Sequence, residues 1–460
     1  MFKVLKDKAF VKSFFMIAIP VMIQTLIGLV VNFADNIMVG GVSDPAVSAV
    51  YAVNQGTFFF VVAGYGILSG AGIFVQQFFG AKDHDHLKQA FRYKLLASAV
   101  LLAIVIPLYY FGGKYLIAFY TKNADGADEI MRLGMQYLPI ILLSYIPAML
   151  TTAYATTFRE IGKTKIPMLA GALALLTNVV FNYLFIYIFN MGVVGAAVAT
   201  VMARVVEFTA LFTYAKVKKE PFATHLFRNW QIDKQTRTVI SKKATPLFVN
   251  ELLWASGMVL LSLAYSQKGN VLSALAIVST MTDIFGIVFQ GLSVGIGVMV
   301  GNLLGAGQIE QAKINNRKLY YLGIWISIIA AIILAIVAFV APYMFIEVMP
   351  EQKILATKLM LVYATFIPSF CIAICSYMTL RAGGKVILTF LFDSCFMWIL
   401  VVPTTWILVY FTHLDIVLIY IIVQTFDVIK ASIGLILVSR GTWANNLTIG
   451  ISDKKQIIAE

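Results

Sequence analysis

Long stretches of this chain carry one charge or none: Met16–Ala34, Val53–Phe79, Leu95–Tyr109, Ile324–Ile346 and Val386–Phe411. A helix needs about 20 apolar residues to cross a hydrocarbon layer, and each run meets or approaches that length. The runs are continuous, whereas a membrane barrel is built from short segments of alternating polarity. Every backbone polar group must find its partner inside the bilayer, so a helical bundle is the spanning solution that remains. Composition agrees: 60% of residues are hydrophobic and 12% charged, where a soluble domain carries roughly a quarter charged.

Reading apolar stretches between polar breaks predicts about twelve spans, at roughly 13–39, 46–79, 93–120, 128–156, 165–190, 192–217, 244–268, 272–305, 319–348, 354–381, 386–411 and 415–439. The expected fold class is therefore all-α integral membrane. Lys3, Lys6, Lys8 and Lys12 precede the first span, which is too long for a secretory signal and lacks a small-residue cleavage site. It is expected to stay as an uncleaved anchor.

The net charge of +13 is distributed unevenly. Bases crowd into alternate loops: Lys82, Lys88, Arg92 and Lys94; Arg159, Lys163 and Lys165; the stretch from Lys216 to Lys243; Lys313, Arg317 and Lys318; Arg381 and Lys385; and Arg440, Lys454 and Lys455. That asymmetry is the positive-inside pattern of a multi-pass protein of the cell membrane, with both termini cytoplasmic, and it argues against a nucleic-acid partner. Cys371, Cys375 and Cys395 fall within spans with no further soft ligand near, so they are expected to be packing residues and no metal centre is predicted. His84 and His86, in a charged loop, are expected to be solvated.

The second half repeats the first. A shift of about 225 positions matches Pro20 with Pro246, Gly70 with Gly295, Gly72 with Gly297, Val75 with Val300, and Gly80-Ala81 with Gly305-Ala306. Arg159, Gly162 and Lys163 likewise meet Arg381, Gly384 and Lys385. Six spans per half give both copies one orientation, so the expectation is two six-helix lobes related by a pseudo-two-fold axis along the membrane normal, with a site between repeats near the midplane. The corresponding divisions are an N-terminal lobe over 1–215, a cytoplasmic linker over 216–243, a C-terminal lobe over 244–440 and a cytoplasmic tail over 441–460.

An ionisable side chain at mid-bilayer depth costs at least about 2.5–3.5 kcal/mol on insertion scales, so each one calls for a reason. Arg204 and Glu207 on the sixth span, and Asp427 and Lys430 on the twelfth, are three residues apart, which puts each couple on one helix face. They occupy one site of the repeat with the charges exchanged, and are expected to be structural ion pairs. Asp35, Glu251, Asp283 and Asp393 are left without an evident basic neighbour. On the first span Gln24, Gly28, Asn32 and Asp35 form one stripe; on the fifth, Gly171, Asn178 and Asn182 form another, and Asp393 aligns with Gly171. Buried acids that titrate and compete for cations suit a proton- or sodium-coupled exporter, and a cavity rich in acids attracts cations. The expected coupling residues are Asp35, Glu251 and Asp393, with Na+ or H+ at Asp35 or Glu251. Expected substrate contacts are Gln24, Asn32, Met38, Asn178, Asn182, Trp254, Met258, Asp283 and Phe289, whose polar, aromatic and thioether groups suit bulky apolar cations.

Several segments carry a family resemblance: Ala18-Ile19-Pro20, then Asn32-Phe33-Ala34-Asp35-Asn36-Ile37-Met38-Val39-Gly40; Phe79-Gly80-Ala81 and Leu304-Gly305-Ala306-Gly307; Phe158-Arg159-Glu160-Ile161-Gly162-Lys163; and Gly192-Val193-Val194-Gly195-Ala196-Ala197. In their order, over about residues 13–440, the chain resembles the multidrug and toxic compound extrusion (MATE) family. The resemblance implies a twelve-helix, two-lobe exchanger of organic cations for protons or sodium, acting as a monomer without a cofactor. It also implies an acid late in the first helix, matched by Asp35, and one early in the seventh, matched by Glu251. Where some members place an acid in the fifth helix after an Asn, this chain has Asn182 after Asn178, a departure that removes one coupling carboxylate. A lipid-linked oligosaccharide flippase of the same superfamily is the alternative, and would need cavity bases for a pyrophosphate. An enzyme is not expected, because the sequence shows no nucleotide-binding loop, metal-ligand cluster or nucleophile–base arrangement.

Overall fold

The structure is a computed structural model that describes residues 4, 6–122, 126–228, 230–269, 271–346, 348–449 and 451; Lys3, Lys454 and Lys455 lie outside the described residues. Among the described residues, 12 helices are long and apolar enough to cross a membrane. They are α1 (Lys8–Gly40), α2 (Asp44–Gly80), α3 (His84–Thr121), α4 (Ala127–Glu160), α5 (Lys165–Ile188), α6 (Gly192–Val217), α7 (Lys234–Ser266), α8 (Leu272–Gly305), α9 (Ile309–Val337), α10 (Pro350–Ala382), α11 (Val386–Phe411) and α12 (Ile416–Ser439). No strand occurs among the described residues. The predicted spans are found in order, with α6 and α11 at the predicted limits.

The differences have local causes. α3, α7 and α9 begin about ten residues earlier than their apolar runs, because a helix persists through polar turns once it has left the hydrocarbon layer. At α3 the start is fixed by Asp83, whose side chain accepts from the backbone N–H of His86 at 3.1 Å. The 38 residues of α3 extend about 57 Å at ~1.5 Å per residue, nearly twice a hydrocarbon layer. α9 stops at Val337, short of the predicted 348, and a 3-10 turn over Ala341–Met344 carries Pro342, which lacks an N–H to continue a helix. Two spans are not plain α-helices. α5 turns π-helical over Tyr183–Ile188, directly after Asn182, and α11 does so over Leu391–Cys395 and Met397–Val401, around Asp393. Such insertions re-aim side chains locally and concentrate at functional positions.

The chain forms two compact units. One holds the described residues of Ile23–Phe78 and Asp83–Phe248; the other holds those of Met1–Met22, Phe79–Lys82 and Val249–Glu460. α1 and α7 thus change unit two residues after the repeat-matched Pro20 and Pro246. In the first unit Gly70 of α2 lies against the backbone of Ala244 on α7, and in the second Gly295 of α8 lies against Phe14 on α1, where an added Cβ would meet the ring at 2.6 Å. The two glycines are themselves repeat-matched.

Four loop assignments change. Arg92 and Lys94 are buried on α3, and Arg159 and Arg381 lie in the last turns of α4 and α10, so these charges belong to the packed interior. His86 is buried rather than solvated: it stacks on Phe78 and its Nδ1 lies 2.7 Å from Asp83 Oδ2. The segment after α6 is equally well packed. Arg92 donates to the carbonyls of Leu226, Arg228 and Gln231 at 2.9–3.0 Å, and Phe222 fills an aromatic cluster with Phe91, Tyr154 and Phe158.

Because a Cβ at Gly70 meets backbone that cannot rotate away, Gly70→Val should lower the thermal midpoint of the detergent-solubilised protein by an amount equivalent to about 1–3 kcal/mol. Gly112→Ala, with nothing within 4 Å of its Cβ position, should leave the midpoint unchanged. Equal midpoints for the two variants would contradict the packing described.

Candidate functional site

In the first unit a polar centre joins α1 to α5. Asn178 and Asn182 sit one turn apart on the buried face of α5, at 1% and 0% exposure. The Asn182 Nδ2 donates to Asp35 Oδ1 at 2.5 Å and to Asn178 Oδ1 at 3.2 Å. Its Oδ1 is buried and meets no partner among the described residues, an acceptor that an added cation or proton donor would satisfy. Asp35 is half-buried and makes no ion pair among the described residues. Arg204, on α6, directs its guanidinium to Glu207 at 2.9 Å, as its spacing predicted. Further along the α1 stripe, Gln24 accepts two hydrogen bonds at its Oε1 from Arg159, at 2.8 and 3.1 Å. Asn32 is exposed, and Met38 is half-buried with its carbonyl accepting from Tyr187 Oη at 3.0 Å.

A second centre, in the other unit, joins α7, α10, α11 and α12. Asn250, fully buried, donates to Asp393 Oδ2 at 3.1 Å and to Tyr377 Oη at 3.2 Å, while the Ser394 hydroxyl donates to the Asn250 carbonyl at 2.8 Å. Glu251 Oε1 accepts from Arg381 and from Tyr377, both at 3.2 Å. Lys430 Nζ lies 2.5 Å from Asp393 Oδ1. Glu251 and Asp393 therefore each have a base at ion-pair distance, contrary to the sequence expectation. The predicted Asp427–Lys430 pair does not form, because the Lys430 ammonium is taken by the acid on the neighbouring helix. The remaining expected contacts divide. Trp254 and Met258 are open on α7, Asp283 is exposed in the middle of α8, and Phe289 is in the apolar core, edge-on to Phe370 at 5.4 Å.

Asn250, Tyr377 and Arg381 were not anticipated as site residues. The signal was present in the repeat: Arg159 and Arg381 are matched positions, and each reaches the first helix of its own half, at Gln24 and at Glu251. A third charge, Lys94, is held wholly inside the first unit by Glu160, Thr156 and Thr157 at 2.5, 3.0 and 3.1 Å, so each ammonium N–H has an acceptor. Among the described residues no group of three or more His, Cys, Asp or Glu is placed to hold a metal ion.

Removing one partner of a buried ion pair leaves the other uncompensated, at a cost of about 3–5 kcal/mol. Arg381→Gln should therefore lower folded yield and thermal midpoint, and Arg381→Gln with Glu251→Gln should recover much of the loss. Losses that simply add in the double variant would show that the two residues do not interact.

Comparison with known proteins agrees with this architecture. The MatE family model matches residues 20–184 and 246–407. A protein of Bacillus subtilis named "Probable multidrug resistance protein YoeA" is 22% identical over 418 residues, 88% of either chain. "Probable multidrug resistance protein NorM" of Haemophilus ducreyi is 26% identical over 366 residues, 76% of either chain. Among solved structures, a MATE protein in a bent conformation superposes with a TM-score of 0.86 at 19% identity, covering 96% of this chain and 97% of the other. The Vibrio cholerae MATE transporter VcmN in its bent form gives 0.83 at 16% identity, covering 94% and 97%. The two matched blocks are the two halves of the repeat, they take in most of the chain, and the chain belongs to the MatE family.

Proposed function

We propose that this protein is a secondary active exporter that exchanges small organic cations for protons or sodium ions by alternating access, with Asp35 carrying the coupling ion. The observation that carries the reading is the state of Asp35: a half-buried acid late in the first span, hydrogen-bonded to Asn182 at 2.5 Å and ion-paired to nothing among the described residues. A carboxylate taken out of water without a partner is costly, and a proton or a sodium ion relieves that cost. A cationic substrate relieves it equally well, which is the competition an exchanger needs. The multidrug resistance names of the relatives fit such a substrate class.

Glu251 and Asp393 meet a different situation. A cation arriving there must displace Arg381 or Lys430, so they act as secondary coupling groups and as ties between helices. Within the first unit Asn32 offers an exposed polar contact for the substrate, and within the second Trp254 and Met258 offer exposed aromatic and thioether contacts. The buried bases Lys94, Arg159, Arg381 and Lys430 are each engaged by an acid or an amide. That disfavours a flippase, which would need bases available for a pyrophosphate. The reading is of a monomeric transporter without a cofactor, in the cell membrane, with two lobes over 1–215 and 244–440. Both termini and the 216–243 segment would be cytoplasmic, because Lys82, Lys88, Lys165 and the lysines at 216–219 keep the basic bias after the buried bases are removed.

In reconstituted vesicles, Asp35→Asn should reduce dye efflux driven by an imposed proton or sodium gradient by about ten-fold or more, a size typical of linkage between sites, at parental protein yield. Efflux at the parental rate under both gradients would remove Asp35 from the mechanism. For orientation, Lys234→Cys in otherwise cysteine-free protein should resist an impermeant thiol reagent added to intact cells and react after permeabilisation. Labelling of intact cells would reverse the proposed topology.

A further inference from the structure

The first unit carries a recess that the coupling and substrate residues do not use. A groove of about 580 Å³ runs along α6 from Val205 to Lys218, with Leu173 of α5 on its border. Its origin is local. Val205, Thr209 and Thr213 recur at four-residue spacing and so share one helix face. Small side chains at Thr209, Ala210 and Thr213 leave a hollow among the larger apolar groups on that face. Val205 and Leu173 are 46% and 60% exposed, and Thr209, Thr213 and Lys218 are exposed as well. On a membrane-spanning helix such an open apolar face is covered by hydrocarbon and not by water.

One end of the groove is basic. Lys218 caps α6 there, Lys216 and Lys219 beside it are exposed too, and none of the three ammonium groups makes an ion pair among the described residues. The adjacent acid, Glu220, does not offset them, because it is buried and held by Lys163 at 2.6 Å. Lys165, which starts α5, is exposed at the same end, since the short connection between Ile188 and Gly192 makes α5 and α6 antiparallel. From Val205 to Lys218 the axis rises about 20 Å at ~1.5 Å per residue, which matches one leaflet: about 15 Å of hydrocarbon and a headgroup layer of ~5–8 Å. Thr213 stands about 8 Å inward of Lys218, at the depth of lipid ester groups. Neither its hydroxyl nor that of Thr209 makes a hydrogen bond among the described residues, although helical threonines commonly bond back to a carbonyl of the preceding turn.

We propose that this groove is a binding site for one anionic phospholipid, its acyl chain laid along α6 and its phosphate held at Lys218. Charge complementarity selects the occupant. Bases without a free acid, at the end where the headgroup lies, favour an anionic headgroup. An organic cation would be repelled there, and a zwitterionic lipid would bring its own ammonium against the lysines. The site depends on α5 and α6 crossing the membrane and not on the exporter reading, so the two stand or fall separately.

The test places the full-length protein in phosphatidylcholine nanodiscs with a trace of phosphatidylglycerol bearing a photoactivatable diazirine in its acyl chain. Irradiation should label the peptide that holds Thr209 and Thr213, and phosphatidylcholine bearing the same diazirine should label it several-fold less. Lys218→Gln should lower the labelling by phosphatidylglycerol about five-fold, the scale of one lysine at an anionic surface, and Lys218→Arg should retain it. Thr209→Trp, which fills the groove, should abolish labelling of that face at an unchanged thermal midpoint, and it probes the recess independently of the lysine. Equal labelling by the two lipids would reduce the groove to ordinary lipid contact and overturn the site. Labelling that survives Thr209→Trp would overturn it too, as would displacement of the lipid by tetraphenylphosphonium, which would give the groove to a cationic occupant.

Discussion

Charge in hydrocarbon must be compensated on the spot, and the helices of this protein are arranged around that requirement. Lys94 is surrounded by three oxygens from α4, Arg381 reaches from α10 to Glu251 on α7, and Lys430 reaches from α12 to Asp393 on α11. The Arg381 contact ties together helices far apart in sequence, and the other two lock consecutive helices to each other. Apolar packing alone gives little direction here, because lipid tails are as apolar as the side chains they would replace. The polar ties specify which helix meets which, and the glycines at close approaches set how near. Asp35 and Asp427 stand out against this background as half-buried acids with no ion pair among the described residues.

The repeat explains how one scaffold carries two different interiors. Glu207 and Lys430 occupy matched positions on α6 and α12, and both point at a matched position on the fifth helix of their half. In the first half that position is Gly171, whose Cβ site lies 3.8 Å from Glu207 Oε1, so nothing there competes and Glu207 pairs with Arg204 on its own helix. In the second half the position is Asp393, which draws Lys430 away and frees Asp427. One substitution, glycine for aspartate, thus decides whether the adjacent charge couple closes on itself or opens. The π-helical turns next to Asn182 and around Asp393 fall on the same pair of helices, where the backbone adjusts to bring these groups into line.

Length and continuity of apolar runs are enough to read twelve spans from the sequence, since they depend only on local composition. The doubling of Pro20, Gly70 and Arg159 in Pro246, Gly295 and Arg381 is legible for the same reason. Partner choice is not. Three-residue spacing shows that Lys430 can reach Asp427, and says nothing of an acid on the adjacent helix, so the real pair needed the packing of α11 on α12. Arg381 and Lys94 were assigned to loops because a charge at the end of an apolar run looks the same whether it faces water or turns inward. Phe289, an aromatic in a glycine-rich span, suited a substrate wall by type, yet it belongs to the core. Asp35 was legible because its stripe with Gln24 and Asn32 marks a single face, and the orphaned Asn182 acceptor beside it was not.

The central claim is that the coupling ion and the substrate compete through Asp35. The direct measurement is the affinity of the purified protein for a cationic dye, titrated at several pH values and several sodium concentrations. The account predicts that dye affinity falls as the concentration of the coupling ion rises, whether that ion is the proton or sodium, and that this dependence disappears in Asp35→Asn but persists in Glu251→Gln. A dye affinity that responds to the ion in Asp35→Asn as it does in the parental protein would contradict the account.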